Sequence, residues 1–357
     1  MSKKKVGLTL SGGGAKGAYQ IGVWRALRET GLDTYITSVS GTSVGGINAA
    51  LFIQGDLEKA EEVWRNISRD VILTPKSPLN TVTNTLSFIE VLERVSSRIY
   101  FDLKDPVRMA TDIIPLLENG QIADFINRNS SSLSFFTRDG WVKLIDKYLD
   151  MDRFYQDPRS CWLTCTRIGK SDNEYITADC SKYVTANVDY FNLKHKDRET
   201  VKKIILATSA LLVLFPPEEV EGERYMDGGI PFLGGDDVPV APLCVVDKCD
   251  IVLGIHLSPM DKPIVRRDFE GTKIYEIFPQ QSLGSMLDFN PKCAEEKMEL
   301  GYRETINLFR KIKMAIDFNQ GLIDNMELAL LNQKAASDRL DNLKRENVEL
   351  MRKIERD

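Results

Sequence analysis

Histidine is nearly absent from this chain. Only His195 and His256 occur among 357 residues, so a histidine-rich metal centre is not available. Cysteine does not replace it. The six cysteines stand at 161, 165, 180, 244, 249 and 293, and neither close pair, Cys161/Cys165 or Cys244/Cys249, has C-x-x-C spacing. A disulfide framework is not expected in a chain able to bury an ordinary core, so the thiols read as reduced and mostly buried, in a cytosol-like compartment. A cationic excess is lacking as well: the net charge is −5, which argues against a nucleic-acid partner held by a basic field. Long apolar runs are missing too, since none reaches the roughly 18 residues of a membrane span. The basic start Met1–Lys5 is followed by only five apolar residues, Val6–Leu10, before Ser11-Gly12-Gly13-Gly14. That is too short for an export signal and reads as a first strand. These absences lead us to expect a soluble, cytoplasmic protein that touches membranes only from outside.

What is present is a globular balance of 43% hydrophobic and 28% charged residues. The first half alternates. Val6–Leu10 reads as a strand, Ala18–Thr30 as a helix, Tyr35–Ser40 as a strand and Ile47–Ile53 as a helix, with glycine turns between them. Such repetition indicates an α/β domain with a mostly parallel sheet. Leu57–Ser68 and Ser87–Val95 have amphipathic helical spacing. Pro75, Pro78, Pro106 and Pro115 mark residues 70–140 as a helical insertion rather than sheet. Strands are expected again at Cys161–Arg167, Glu174–Thr177 and Ile251–Leu257.

The last segment changes character. Leu322, Met326, Ala329, Gln333, Ala336, Leu340, Leu343, Asn347, Leu350 and Ile354 are spaced alternately by four and three, a heptad seam. Asn347 falls at an a position, which suits a dimeric coiled coil, whereas Arg339 and Lys344 would repel across a parallel pair. Three arrangements stay open: a homodimer through this helix, a helix folded back on the domain, or a pair with a helix over about 294–318.

Three short motifs carry chemistry. Gly12-Gly13-Gly14-Ala15-Lys16-Gly17 fits G-x-G-x-x-G after a strand, yet the strand ending at Gly41 lacks the acidic residue that a dinucleotide ribose would need. Gly41-Thr42-Ser43-Val44-Gly45 is G-x-S-x-G between a strand and a helix, the setting in which a sharp turn lifts a serine hydroxyl clear of the sheet. The helix that follows directs free N–H groups at that serine. Asp227-Gly228-Gly229, read alone, is a turn.

In this order the three motifs resemble the patatin-like phospholipase family, over roughly residues 5–304. The resemblance implies a three-layer patatin-like α/β fold with a mostly parallel central sheet, a helical insertion and a helical C-terminal tail at 305–357. It implies a serine acyl hydrolase acting on lipid esters, of phospholipase A or lipase type. Ser43 would be the nucleophile and Asp227 its general base. The amides of Gly12, Gly13 and Gly14 would form the oxyanion hole, with Lys16, Gly17, Gly41, Gly45, Gly228 and Gly229 supporting the motifs. No metal or other cofactor is implied. The expected partner is a lipid or other acyl ester, met in transient contact with a membrane surface.

Lys16 has two readings, electrostatic support for the oxyanion or a solvated lysine at a helix start, and we favour the second. His256 also needs weighing, because Ser43, Asp227 and His256 fall in the chain order of an α/β-hydrolase triad. A histidine closing the apolar strand Ile251–Ile255 is read here as structural. The chain departs from the family at Leu212, where proline is common, and at Asp237, where asparagine is frequent. The apolar clusters Leu211–Phe215 and Leu133, Phe135, Phe136 fit either an acyl channel or core packing. A small soluble ester or thioester is the alternative substrate.

Overall fold

The computed structural model describes residues 4–72, 74, 137–168, 187–211, 215–230, 234–265 and 269–354. The chain divides into two compact units, Met1–Glu304 and Thr305–Asp357. The described elements are β1 (Val6–Leu10), α1 (Ala18–Glu29), β2 (Ile36–Thr42), α2 (Val44–Gln54), α3 (Leu57–Asn66) and α4 (Arg69–Ile72). They continue with α5 (Asp139–Tyr148), α6 (Met151–Gln156), β3 (Ser160–Ile168), β4 (Val188–Asn192) and α7 (Arg198–Thr208). The last are β5 (Glu218–Val220), β6 (Glu223–Asp227), β7 (Ile251–Ile255), β8 (Lys273–Ile277) and α8 (Pro291–Ile354).

One sheet organises the first unit. Its order among the described residues is β5-β6-β3-β2-β1-β7-β8, with β4 also paired to β3. The five strands β3, β2, β1, β7 and β8 run parallel, β4 and β6 pair antiparallel with β3, and β5 pairs antiparallel with β6. Parallel strands are covered on both faces and therefore read as nearly continuous apolar runs, as β1 and β7 do.

The register around β3 decides where the site lies. Thr164 pairs with both Thr42 of β2 and Tyr190 of β4, so those strands occupy opposite edges of β3. Cys165 pairs with both Asp189 of β4 and Asp227 of β6. The strands β2 and β6 therefore share one edge of β3, end to end. Consecutive residues of a single strand thus set the end of β2 opposite the end of β6.

Both faces of the sheet are packed. Leu163 meets α2, where a Cβ added to Gly46 would lie 2.9 Å from its Cγ. Its neighbour Trp162 points the other way, into a cluster with Leu243, Cys249, Val252 and Ile274. The helix α2 is buried almost throughout, which explains why its sequence is apolar on every side rather than striped. The predicted helices at 18–30, 47–53 and 57–68, and the strands at 35–40, 161–167 and 251–257, lie on α1, α2, α3, β2, β3 and β7. The expected helix Ser87–Val95, the strand Glu174–Thr177, the cluster 133–136 and most of the 70–140 insertion fall outside the described residues.

One expectation needs correction. Residues 294–318 and the heptad stripe from Leu322 are not two helices able to pair, but parts of the single helix α8. After Pro291 the segment has no further proline, and its two glycines, Gly301 and Gly321, each weaken a helix by only about 1 kcal/mol.

Within the first unit, α1 meets the start of α8 at van der Waals distance. A Cβ on Gly22 would lie 1.8 Å from the carbonyl oxygen of Met298, and one on Gly301 would lie 2.2 Å from that of Tyr19. Backbone against backbone leaves no flexible side chain to move. Gly22→Ala is expected to lower unfolding stability by about 1–3 kcal/mol or more, measured by urea denaturation. An unchanged midpoint would refute this close crossing.

Candidate active site

Ser43 stands between the last residue of β2 and the first of α2, with φ 55° and ψ −127°. A non-glycine residue in that region stores roughly 1–3 kcal/mol of strain and persists only where its surroundings hold it. Three features do so. A Cβ on Gly41 would lie 2.3 Å from the Gly45 carbonyl oxygen, and one on Gly45 would lie 2.2 Å from that of Leu10. The two glycines of the elbow are therefore required for β2, the turn and β1 to approach. The third feature is Thr208, whose Oγ1 accepts from the Ser43 N–H at 2.9 Å and donates to the Thr164 carbonyl at 2.6 Å. The α2 chain begins at once, with the Gly46 N–H donating to the Ser43 carbonyl at 2.9 Å.

Asp227 ends β6 and is buried. Its Oδ1 accepts from the Gly229 N–H at 2.9 Å, and its backbone N–H donates to the Ala210 carbonyl at 3.1 Å. Its Oδ2 is buried without a hydrogen-bond partner. Burial pushes this carboxyl up to about 7, with the nearby Ser43 hydroxyl and the Gly229 amide working against that rise. The serine hydroxyl is close enough to act on this carboxylate as a hydrogen-bond donor.

The glycine loop joins β1 to α1, beside the elbow. Both of its ends are tied by buried amides: Gln20 Nε2 donates to the Ser11 carbonyl at 2.8 Å, and Asn48 Nδ2 donates to the Gly17 carbonyl at 2.9 Å. Asn48 also donates to Gln20 Oε1 at 2.8 Å and accepts from Trp64 Nε1 at 3.1 Å. Gly13 and Gly14 have φ 153° and 57°. The three glycine amides are not equivalent. Gly12 N–H donates to Asp237, at 3.2 Å to Oδ1 and 3.3 Å to its carbonyl oxygen. Ala15 N–H donates to the Met286 carbonyl at 2.8 Å and Lys16 N–H to that of Gly13 at 3.3 Å, so among the described contacts the Gly13 and Gly14 N–H groups have no acceptor.

Lys16 corrects its expected placement. It is buried, not solvated. Burial pulls its ammonium down, opposed by Asp261 and Asp237, with Lys297 adding to the fall. His256 is fully buried and engaged elsewhere: its Nε2 lies 3.0 Å from Glu276 Oε1, and its ring stacks on Phe278 at 4.0 Å. Neither Ser43 nor Asp227 is its partner.

The structure thus brings together Ser43, Asp227 and Gly12–Gly14, with Gly41, Gly45 and Gly228 pressed against backbone and Gly229 against the Asp237 and Asp227 carboxyls. Thr208, Gln20 and Asn48 were not legible as site residues. A polar Asn48 inside the otherwise apolar α2 was the one available signal. Such a site can offer a hydroxyl, a buried carboxylate and amide donors to one small polar group.

An elbow serine at the carboxyl end of a mostly parallel sheet, with a glycine loop and a buried aspartate beside it, defines an α/β protein with a serine-elbow site. The family described as "Patatin-like phospholipase" matches residues 8–242, well over half of the chain, and the chain belongs to that family. A lysophospholipase of Aspergillus terreus is 49% identical over 49 residues, 14% of this chain and 3% of that protein. An NTE-family protein of Mycobacterium tuberculosis is 30% identical over 114 residues, 32% of this chain and 30% of that one. The chain therefore matches less than a third of the length of these relatives. Among solved structures, VipD from Legionella pneumophila aligns with 87% of this chain and 67% of its own, at TM-score 0.45 and 16% identity. ExoU, a type III effector protein, aligns with 87% of this chain and 53% of its own, at TM-score 0.37 and 14% identity.

Thr208→Val removes the acceptor for the Ser43 amide and the donor to Thr164. Each buried group left unpaired destabilises by about 1–3 kcal/mol. We expect a lower melting temperature and slower fluorophosphonate labelling of Ser43, both restored by Thr208→Ser. Normal labelling in the valine variant would show that the elbow does not depend on this contact.

Proposed function

We propose that the protein hydrolyses carboxylic esters of lipids, with Ser43 as nucleophile and Asp227 as its general base. The observation that carries this reading is the pairing itself: a strained, buried serine beside a carboxyl whose Oδ2 is unpaired. Only a base that lacks a competing partner is free to take the serine proton. As Ser43 Oγ attacks the ester carbonyl carbon, its proton passes to Asp227 and the carbonyl oxygen becomes an oxyanion. The N–H groups of Gly13 and Gly14 are its proposed donors, with Gly12 held by Asp237. Collapse expels the alcohol, which takes the proton from Asp227, and leaves an acyl group on Ser43. Water deprotonated by Asp227 then attacks the acyl carbon, and the acid is freed as Ser43 Oγ leaves and takes that proton back from Asp227.

Lipid as the substrate is supported by membership of the patatin-like phospholipase family. Among the described residues no helix is long and apolar enough to cross a membrane, so a bilayer-borne substrate would be met at its surface. The hydrolase part is proposed to comprise residues 5–304 and the helical extension 305–357, the extension being a candidate homodimer contact.

Ser43→Ala and Asp227→Asn are each expected to lower ester hydrolysis at least about a hundredfold without loss of fold, since acid–base assistance alone is worth about 10²–10⁴. The Asp227 carboxyl must be ionised to act as base, so kcat/KM should climb as pH rises toward about 7. His256→Ala should leave this profile in place. Wild-type activity in Ser43→Ala would sink the proposal. Comparing short and long acyl esters, with and without phospholipid vesicles, separates a lipid substrate from a small soluble one.

A further inference from the structure

Asp237 lies beside the reaction centre, and the steps above use it only to hold Gly12. A Cβ on Gly12 would sit 2.5 Å from Asp237 Oδ1 and 3.2 Å from Ser43 Cβ. A Cβ on Gly229 would sit 2.7 Å from Asp237 Oδ1 and 3.4 Å from Asp227 Oδ1. Asp237 Oδ1 therefore borders the same small space as Ser43 Cβ on one side and Asp227 Oδ1 on the other, while accepting the Gly12 N–H at 3.2 Å. Its neighbour Asp236 is used differently: Asp236 Oδ2 accepts from the Tyr190 hydroxyl at 2.5 Å, and Asp236 Oδ1 accepts from the Val238 N–H at 3.2 Å. The Thr42 hydroxyl donates to the Asp236 carbonyl at 2.7 Å and Ser40 to that of Pro239 at 2.6 Å, so this loop is tied along β2 and presents Asp237 to the elbow.

We propose that Asp237 is a positioning residue that supports ester hydrolysis only when protonated. This rests on the acyl-hydrolase reading above. Neutral, the Asp237 carboxyl anchors Gly12 as an uncharged acceptor and leaves Gly13 and Gly14 directed at the oxyanion. Ionised, it adds a second negative charge beside Asp227 and opposes the negative charge that develops on the substrate oxygen.

The charged groups around it favour the neutral form. Asp227 at the end of β6, Asp236 beside it and Asp261 after β7 all repel its charge, and Lys16 of the glycine loop is the facing cation. Burial and these carboxylates push Asp237 up to about 7, with the Gly12 amide working against the rise. Two carboxyls this close titrate as a pair. The productive state holds one proton between them, on Asp237, with Asp227 ionised.

The two aspartates therefore act on the rate with opposite sign. Asp227 needs to lose its proton, which gives the acid limb. Asp237 needs to keep its proton, which gives an alkaline limb of up to about tenfold loss per pH unit above its midpoint. The test is the kcat/KM profile of the full chain on a neutral p-nitrophenyl ester, from about pH 5 to 9, together with fluorophosphonate labelling of Ser43. Wild type should give a bell. Asp237→Asn, uncharged at every pH, should lose the alkaline limb and exceed wild type at about pH 8.5 by at least about tenfold. Its acid limb should stay close to that of wild type, because Asp237 is already neutral where Asp227 loses its proton. Asp237→Ser gives a second uncharged substitution with the same expectation.

A wild-type enzyme with no fall in rate up to pH 9 would overturn the proposal. So would an Asp237→Asn profile that superimposes on wild type. Absence of both hydrolysis and labelling in wild type at every pH would instead remove the acyl-hydrolase reading, and this proposal with it. A purely structural Asp237 would lower the rate of its variants by one factor at all pH values, and that result also overturns the proposal.

Discussion

The backbone of Ser43 is the constraint on which the site depends. A left-handed φ at a non-glycine residue is unfavourable, so the conformation exists only because its surroundings leave no alternative. The Gly45 position lets the elbow press on the end of β1, Gly41 lets β2 run into the turn, and Thr208 takes the serine amide. What results is a side chain lifted from the sheet at the start of a buried helix. The glycine loop comes to the same place because β1 is the next strand over, paired with β2 through Leu10 and Gly41.

The strand β3 supplies the second half. It carries β2 on its lower edge and β6 further along the same edge, so that Thr164 and Cys165 place Thr42 and Asp227 at consecutive positions. A change from parallel to antiparallel pairing on one strand is what lets residues far apart in sequence meet. The loop after Asp227 then returns along β2 through the Asp236 and Pro239 carbonyls. Three polar groups thus converge without a metal ligand or a histidine among them, and burial does what a charge partner does elsewhere. It keeps carboxyls near neutrality in a place where an exposed aspartate would be a weak base.

Buried polar residues away from the reacting atoms hold this arrangement. The Gln20–Asn48–Trp64 chain fixes both ends of the glycine loop from the helical layer. None of the three belongs to a motif. Gln20 and Asn48 each stand between apolar neighbours in a helix, and the meaning of their polarity appears only once the partner is in place. Lys16 makes the same point in reverse. Next to a glycine run it read as a solvated helix-start lysine, but the packing around the loop encloses it.

By itself the sequence determined the local events: the strand–turn–helix alternation, the glycines of the loop and elbow, and the motifs in which Ser43 and Asp227 stand. These are legible because period, turn chemistry and motif spacing act over a few residues. It also determined a long C-terminal helix pattern, though not that residues 294–318 and the heptad stripe form one helix. The tertiary structure alone decided that Gly12 faces Asp237, that Lys16 is enclosed, that His256 turns to Glu276, and that Thr208 holds the elbow. The physical reason is range. Those contacts join residues brought together by strand register and sheet order, and no local pattern in the chain encodes which strand will lie beside which.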